Sequence, residues 1–141
     1  MAKKKSSRIA AVPPKAVVFV ACDSVSRDPN TGKPTLYGLF DIVWTSEFPC
    51  RSKPFALYAK LIGEGKHPIS IHLVGPRGQS IQLGEAEIKI PPKAKAVIQA
   101  DLVGVEFKRP GTYKLLLRAG RKTVGCTSFE VKRKIRNKRK K

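Results

Sequence analysis

The first fifteen residues and the last ten contain no Asp and no Glu, so neither end of the chain can neutralise its own charge through local ion pairs. Long apolar runs are missing too. The longest, Ala16 to Cys22, has seven residues where a bilayer-spanning helix needs about 20. The opening MAKKKSSRIAAVPPK has a positive head, but only Ile9 to Val12 follow before Pro13 and Pro14. A secretory core needs roughly 7 to 15 apolar residues, so an exported chain is not expected. Cysteine is scarce: Cys22, Cys50 and Cys126 are odd in number, widely spaced and free of any CxxC pair. That usage fits small residues in a reducing compartment, and a cytoplasmic location is expected.

What is present is cationic charge at both ends. Lys3, Lys4, Lys5, Arg8 and Lys15 lie in the first fifteen residues, and Lys132, Arg133, Lys134, Arg136, Lys138, Arg139, Lys140 and Lys141 lie in the last ten. These thirteen are drawn from 29 Lys and Arg in a chain of net charge +19. The middle keeps sixteen cations against all ten acids. Like charges this dense repel one another and have nothing apolar to bury, so two disordered basic tails are expected at 1–15 and 132–141. Between them, roughly 115 residues suffice for one hydrophobic core, a single domain over 16–131.

Eleven Gly and eleven Pro punctuate short segments rich in β-branched and aromatic residues, and no long helical period emerges. Lys15 to Val25 reads as a central strand. The turn Asp28-Pro29-Asn30-Thr31-Gly32 leads from it into an antiparallel partner, Thr35 to Thr45. Alternation then predicts strands at Phe55 to Leu61 and Ile69 to Leu73, and at Ser80 to Ile90 with a bulge near Gly84. A strand at Ala96 to Val103 follows, then a closing hairpin from Phe107 to Val131. About eight strands amount to an all-β, immunoglobulin-like antiparallel β-sandwich. Tyr113, just past Pro110-Gly111, is placed to turn its hydroxyl onto nearby backbone, as in the tyrosine corner of such sandwiches.

The opening hairpin resembles a family of small bacterial proteins without an assigned activity. In that family a strand ending near "CD" passes through "D-x-x-T-G-K" into "T-L-x-G-x-F-D". Here these are Cys22-Asp23, then Asp28 to Lys33, then Thr35-Leu36-Tyr37-Gly38-Leu39-Phe40-Asp41. Similarity continues through Phe48-Pro49, the ALYAKL strand from Ala56 to Leu61, Pro110 to Tyr113, and Phe129 to Val131, covering roughly residues 16 to 131. The resemblance implies a compact β domain and no chemistry, and the basic tails lie outside it.

No reactive constellation stands out. Gly32-Lys33 lacks the upstream glycine and the Ser or Thr of a phosphate-binding loop, and a hairpin turn explains it better. Asp23 and Asp41 fall near each other across the first hairpin and could share a site, although turn hydrogen bonds or pairing with Arg27 or Lys33 account for them more simply. His67 and His72 are five apart on one strand and point to opposite faces. No catalytic residue, metal or cofactor is therefore expected. Trp44, Phe48 and Phe55 flank a Pro-containing loop and could stack bases, with core packing the favoured role. Lys60, Lys89, Lys114 and Arg118 read as charges that discourage edge pairing, the alternative being one continuous basic face.

These residues lead to a non-enzymatic, nucleic-acid-associated protein, RNA preferred over DNA. Lys3, Lys4, Lys5, Arg8, Lys132, Arg133, Lys134, Arg136, Lys138, Arg139, Lys140 and Lys141 would bind the phosphate backbone, with the sandwich as scaffold. The alternative is a sandwich that binds a protein or copies of itself.

Overall fold

The computed structural model describes residues 12–134. It contains ten strands and, among the described residues, no helix. Strand β1 (Val12–Arg27) runs antiparallel to β2 (Pro34–Leu39) on one side and to the first half of β5 (Phe55–Val74) on the other. That half of β5 also carries β7 (Ala96–Leu102), giving the first sheet in the order β2-β1-β5-β7. The second half of β5 pairs with β6 (Ser80–Ile90) and β9 (Gly111–Ala119). Beyond β9 lie β10 (Lys122–Arg133) and β3 (Ile42–Thr45). A short ladder joins β4 (Cys50–Arg51) to β8 (Glu106–Phe107).

The expected strands at 55–61 and 69–73 are one strand of twenty residues that leaves one sheet and enters the other. The bend lies at Gly63 and Gly65, both with positive φ. A Cβ on Gly63 would lie 3.0 Å from the carbonyls of Val12 and Pro13, so β1 can pass close only because that side chain is missing.

A second difference lies in the expected partner strand 35–45. It divides at Phe40-Asp41: β2 stays with β1, while β3 crosses to the other sheet and runs parallel to β10, Val43 opposite Val131 and Trp44 opposite Lys132. The sandwich therefore has one parallel pair in an otherwise antiparallel design. Gly38, with φ +67°, stands just before the division, and a Cβ there would overlap the Asp23 carboxylate. Gly38→Ala is expected to cost about 1–2 kcal/mol from the left-handed backbone, read as a lower denaturation midpoint with an unchanged m-value.

The inner faces meet through aromatic rings. Phe129 packs against Phe40, Phe55 and Phe107 at 5.9, 6.5 and 5.8 Å and stacks on Tyr113 at 6.0 Å. Leu57, Leu61, Ile90, Leu115, Leu117 and Val131 complete the most buried layer. No polar or charged residue is buried among the described residues, so apolar burial and the backbone ladders hold the sheets together. The β5–β6 register shifts between Ile71↔Gly84 and His72↔Gln82, which places a bulge where the glycine pattern anticipates one.

Tyr113 forms the expected corner, its hydroxyl donating to the Arg109 carbonyl at 2.6 Å. Burial pushes that hydroxyl above its ordinary pKa, while the Arg109 charge pulls it partly back. The folded state therefore holds the phenol proton more tightly than the unfolded chain, and stability falls as pH rises past about 10, the ordinary tyrosine value. Tyr113→Phe is expected to cost about 1 kcal/mol at neutral pH. It should also reduce the loss of stability in alkali, checked by urea unfolding on both sides of that pH.

The strand ends lie beyond the expected domain limits. Lys15 pairs with Ile62 within β1, and Lys132 and Arg133 are the last residues of β10. They belong to the sheets and not to tails, because strands β3 and β5 extend far enough to take up their backbone hydrogen bonds. Lys3, Lys4, Lys5, Arg8, Arg136, Lys138, Arg139, Lys140 and Lys141 lie outside the described residues.

Candidate functional site

The end of β10 is where the basic C-terminal stretch meets the fold. The Lys134 N–H donates to the Thr45 carbonyl at 2.6 Å, which carries the ladder one residue past the strand. The parallel register sets Lys132 beside Trp44, with the ammonium 5.8 Å from the ring centroid. Trp44 is 57% exposed and offers a ring face to solvent. The Arg133 guanidinium lies 5.3 Å over the Phe48 ring and donates to the Ser46 carbonyl at 3.3 Å. Two cations are thus held against aromatic rings at the root of the basic run. Such contacts orient a guanidinium or ammonium without neutralising it.

Beneath β3 a cleft of about 410 Å³ opens between that edge strand and the segment 50–55. Phe40, Phe55, Phe107 and Phe129 form its floor, Ile42 and Val43 its wall, and Arg51 and Lys53 stand along it. The Arg51 guanidinium donates to the Gly104 carbonyl at 3.0 Å, and the Ser52 hydroxyl accepts from the Val105 N–H at 3.2 Å. These bonds fix the lip against the 104–105 loop. Asp23 is the sole carboxylate in the lining, and Cys50 lies inside it half-buried.

Of the three aromatics singled out in the sequence, Phe55 is core and Phe48 packs on the core beneath Arg133; only Trp44 is an exposed platform. Asp23 lines the cleft, whereas Asp41 does not, its backbone carbonyl accepting from Glu130 at 2.8 Å. Turn backbone is bonded instead by Asp28, whose carboxylate accepts from the Asn30 N–H and whose carbonyl accepts from the Gly32 N–H. Gly32-Lys33 is part of that closed turn. His67 lies 2.7 Å from the Glu64 carbonyl and His72 2.9 Å from the Ser70 hydroxyl. Among the described residues no three His, Cys, Asp or Glu gather as a metal site. Cys22 is buried, which pushes its thiol pKa up, with Asp23 adding to the shift.

Lys60 belongs to the first sheet, while Lys89, Lys114 and Arg118 belong to the second. They do not form one basic face. Arg51 and Lys53 were missed in the sequence because nothing local marks a loop that returns, through β4 and β8, to the mouth of a cleft.

Among the described residues no helix is long and apolar enough to cross a membrane. No curated protein is similar enough to count as a match. A β-glucosidase from Listeria innocua shares the fold at TM-score 0.50 and 8% identity over 85% of this chain, which spans 16% of the glucosidase. The alkylpurine DNA glycosylase of Pseudomonas fluorescens does so at TM-score 0.51 and 11% identity, over 89% of this chain and 33% of the glycosylase. An immunoglobulin-like protein from Pseudomonas aeruginosa gives TM-score 0.46 and 16% identity, over 85% of this chain and 97% of that one. Residues 17–132, reaching from β1 into β10, match the model of a family of unknown function, DUF6941, and the chain belongs to that family.

Proposed function

We propose that this is a non-enzymatic, cytoplasmic protein that binds the phosphate backbone of nucleic acid, RNA in preference to DNA, through its basic ends, with the sandwich as a rigid base. The observation that carries this reading is charge left without carboxylate partners. Residues 12–134 hold twenty of the 29 cations and all ten acids, yet among them only Lys132 and Glu130 form an ion pair, at 3.7 Å and half-exposed. Such a pair contributes little. Five further cations follow within 135–141 and four more precede residue 12. Cations in this state release condensed counterions when they meet phosphates, giving binding that tolerates any sequence and weakens with salt.

RNA is preferred because unpaired nucleotides expose ring faces and edges that a cation-flanked aromatic such as Trp44 can engage. The test compares the full chain with residues 12–134, which keep all ten strands, on RNA and DNA across a salt series. Equal affinity for both lengths would move the function into the sandwich. One feature favours that second reading, a protein-binding or self-assembling domain. On the outer face of the first sheet Tyr37, Leu39 and Val97 are 51%, 62% and 43% exposed. Sedimentation that depends on protein concentration would support it.

A further inference from the structure

We infer that the cleft beneath β3 is a nucleobase pocket for single-stranded nucleic acid. One unpaired base enters over the phenylalanine floor, its neighbour stacks on Trp44, and the phosphates between and beyond them meet Arg51, Lys53, Lys132, Arg133 and Lys134. The inference rests on the nucleic-acid reading above and names which form of nucleic acid the protein takes.

The cleft volume of about 410 Å³ falls within the roughly 300–1,000 Å³ of small-molecule sites. Its floor of Phe40, Phe55 and Phe129 is made of rings meeting edge to face, with centroids 5.7 to 6.5 Å apart. Such a floor suits a flat, weakly polar ring and gives phosphate nothing to bond. Polar groups sit at the lip instead. Arg51 spends one N–H on Gly104 and keeps others for an anion, and Lys53 is exposed. Asp23, the only acid in the lining, repels phosphate and can accept a hydrogen bond from a base amino or imino group. Charge thus orients the occupant with the ring inward and the phosphate outward.

The two ring sites adjoin at β3. Val43 packs toward the core, while Trp44 lies beside Lys132 and also contributes to the cleft lining. A single strand can lie across this edge with one base in the cleft and the next against the exposed Trp44 ring. A duplex cannot, because its bases are stacked and its pairing edges occupied. Among the described residues β3 is hydrogen-bonded only to β10, so an acidic peptide added along its free edge is the competing occupant.

The test uses the full chain and two independent reporters. Trp44 is the only tryptophan, so its fluorescence reads stacking directly. Cys50 reads the cleft: Cys22 is buried and Cys126 exposed, so in a Cys126→Ser background alkylation by iodoacetamide measures Cys50. A short oligouridylate is expected to quench Trp44 and to slow Cys50 alkylation severalfold. The same sequence paired into duplex, inorganic polyphosphate and polyglutamate should do neither. Trp44→Ala should weaken oligouridylate binding about tenfold with the salt slope unchanged, since a neutral ring has been removed.

Equal protection of Cys50 by duplex, by polyphosphate or by polyglutamate overturns the inference, the last outcome pointing to a peptide. Tail-dependent, salt-sensitive RNA binding with Cys50 unprotected also overturns it while leaving the proposed function standing. Failure to bind any nucleic acid in dilute buffer removes both.

Discussion

Between about 50 and 200 mM salt the full chain is expected to lose about a thousandfold in affinity for nucleic acid, and residues 12–134 about tenfold. The first figure corresponds to about six phosphates neutralised on duplex and a slope of roughly −5 in log K against log salt. The second corresponds to a slope near −2. The difference follows from where charge is concentrated. Truncation removes nine cations and no acid, five of them within seven residues that continue directly from the Lys132-Arg133-Lys134 end of β10. The cations that remain are divided between two sheets, Lys60 on one and Lys114 and Arg118 on the other, and are interspersed with all ten acids. Their fields partly cancel, so apart from the cluster of Arg51, Lys53 and Lys132 to Lys134 they add little along a phosphate backbone. A full-length variant with Arg136, Lys138, Arg139, Lys140 and Lys141 changed to Gln separates charge from chain length. It should reproduce most of the truncation's loss. Parallel salt plots for full and truncated chains would defeat the charge argument outright.

Replacing Phe129 with alanine is expected to cost about 3–5 kcal/mol, a large share of the roughly 5–15 kcal/mol by which a domain of this size is stable. Phe129 is 3% exposed and lies against four rings, Phe40, Phe55, Phe107 and Tyr113, contributed by the segment between β2 and β3, by β5, by β8 and by β9. Its removal opens a void that sheets fixed by their ladders cannot collapse into. Trp44→Ala, at a half-exposed ring, should change stability by less than about 0.5 kcal/mol. Urea unfolding of the two variants should give widely separated midpoints. A Phe129→Ala cost below about 1 kcal/mol would mean that the two sheets are not joined at this cluster.

Much of the architecture was legible from residue pattern alone. Period-two alternation located β6, β7, β9 and the two arms of β5, since a half-buried strand must send successive side chains to opposite sides. Pro110-Gly111 before Tyr113 announced the corner. Continuity of β5 was not legible: glycine and charge at Gly63-Glu64-Gly65-Lys66 have the composition of a turn, and only pairing with β1 and β6 holds them extended. The crossing of β3 was hidden for a similar reason. Nothing in Phe40-Asp41-Ile42 says that a strand leaves one sheet for the other, because the decision lies in the β10 edge it finds there.

The candidate site divides along the same line. Density of charge at the chain ends is a property of composition, readable from the residues alone, because like charges without apolar neighbours have one physical consequence wherever they are attached. The cleft, and the partnership of Trp44 with Lys132, Arg51 and Lys53, required tertiary structure. These residues are far apart along the chain or lie in short irregular segments, and strand crossing and loop return bring them to one edge. Amino-acid order sets local conformation and charge; which distant side chains become neighbours is settled by the packing of two sheets around a shared aromatic core.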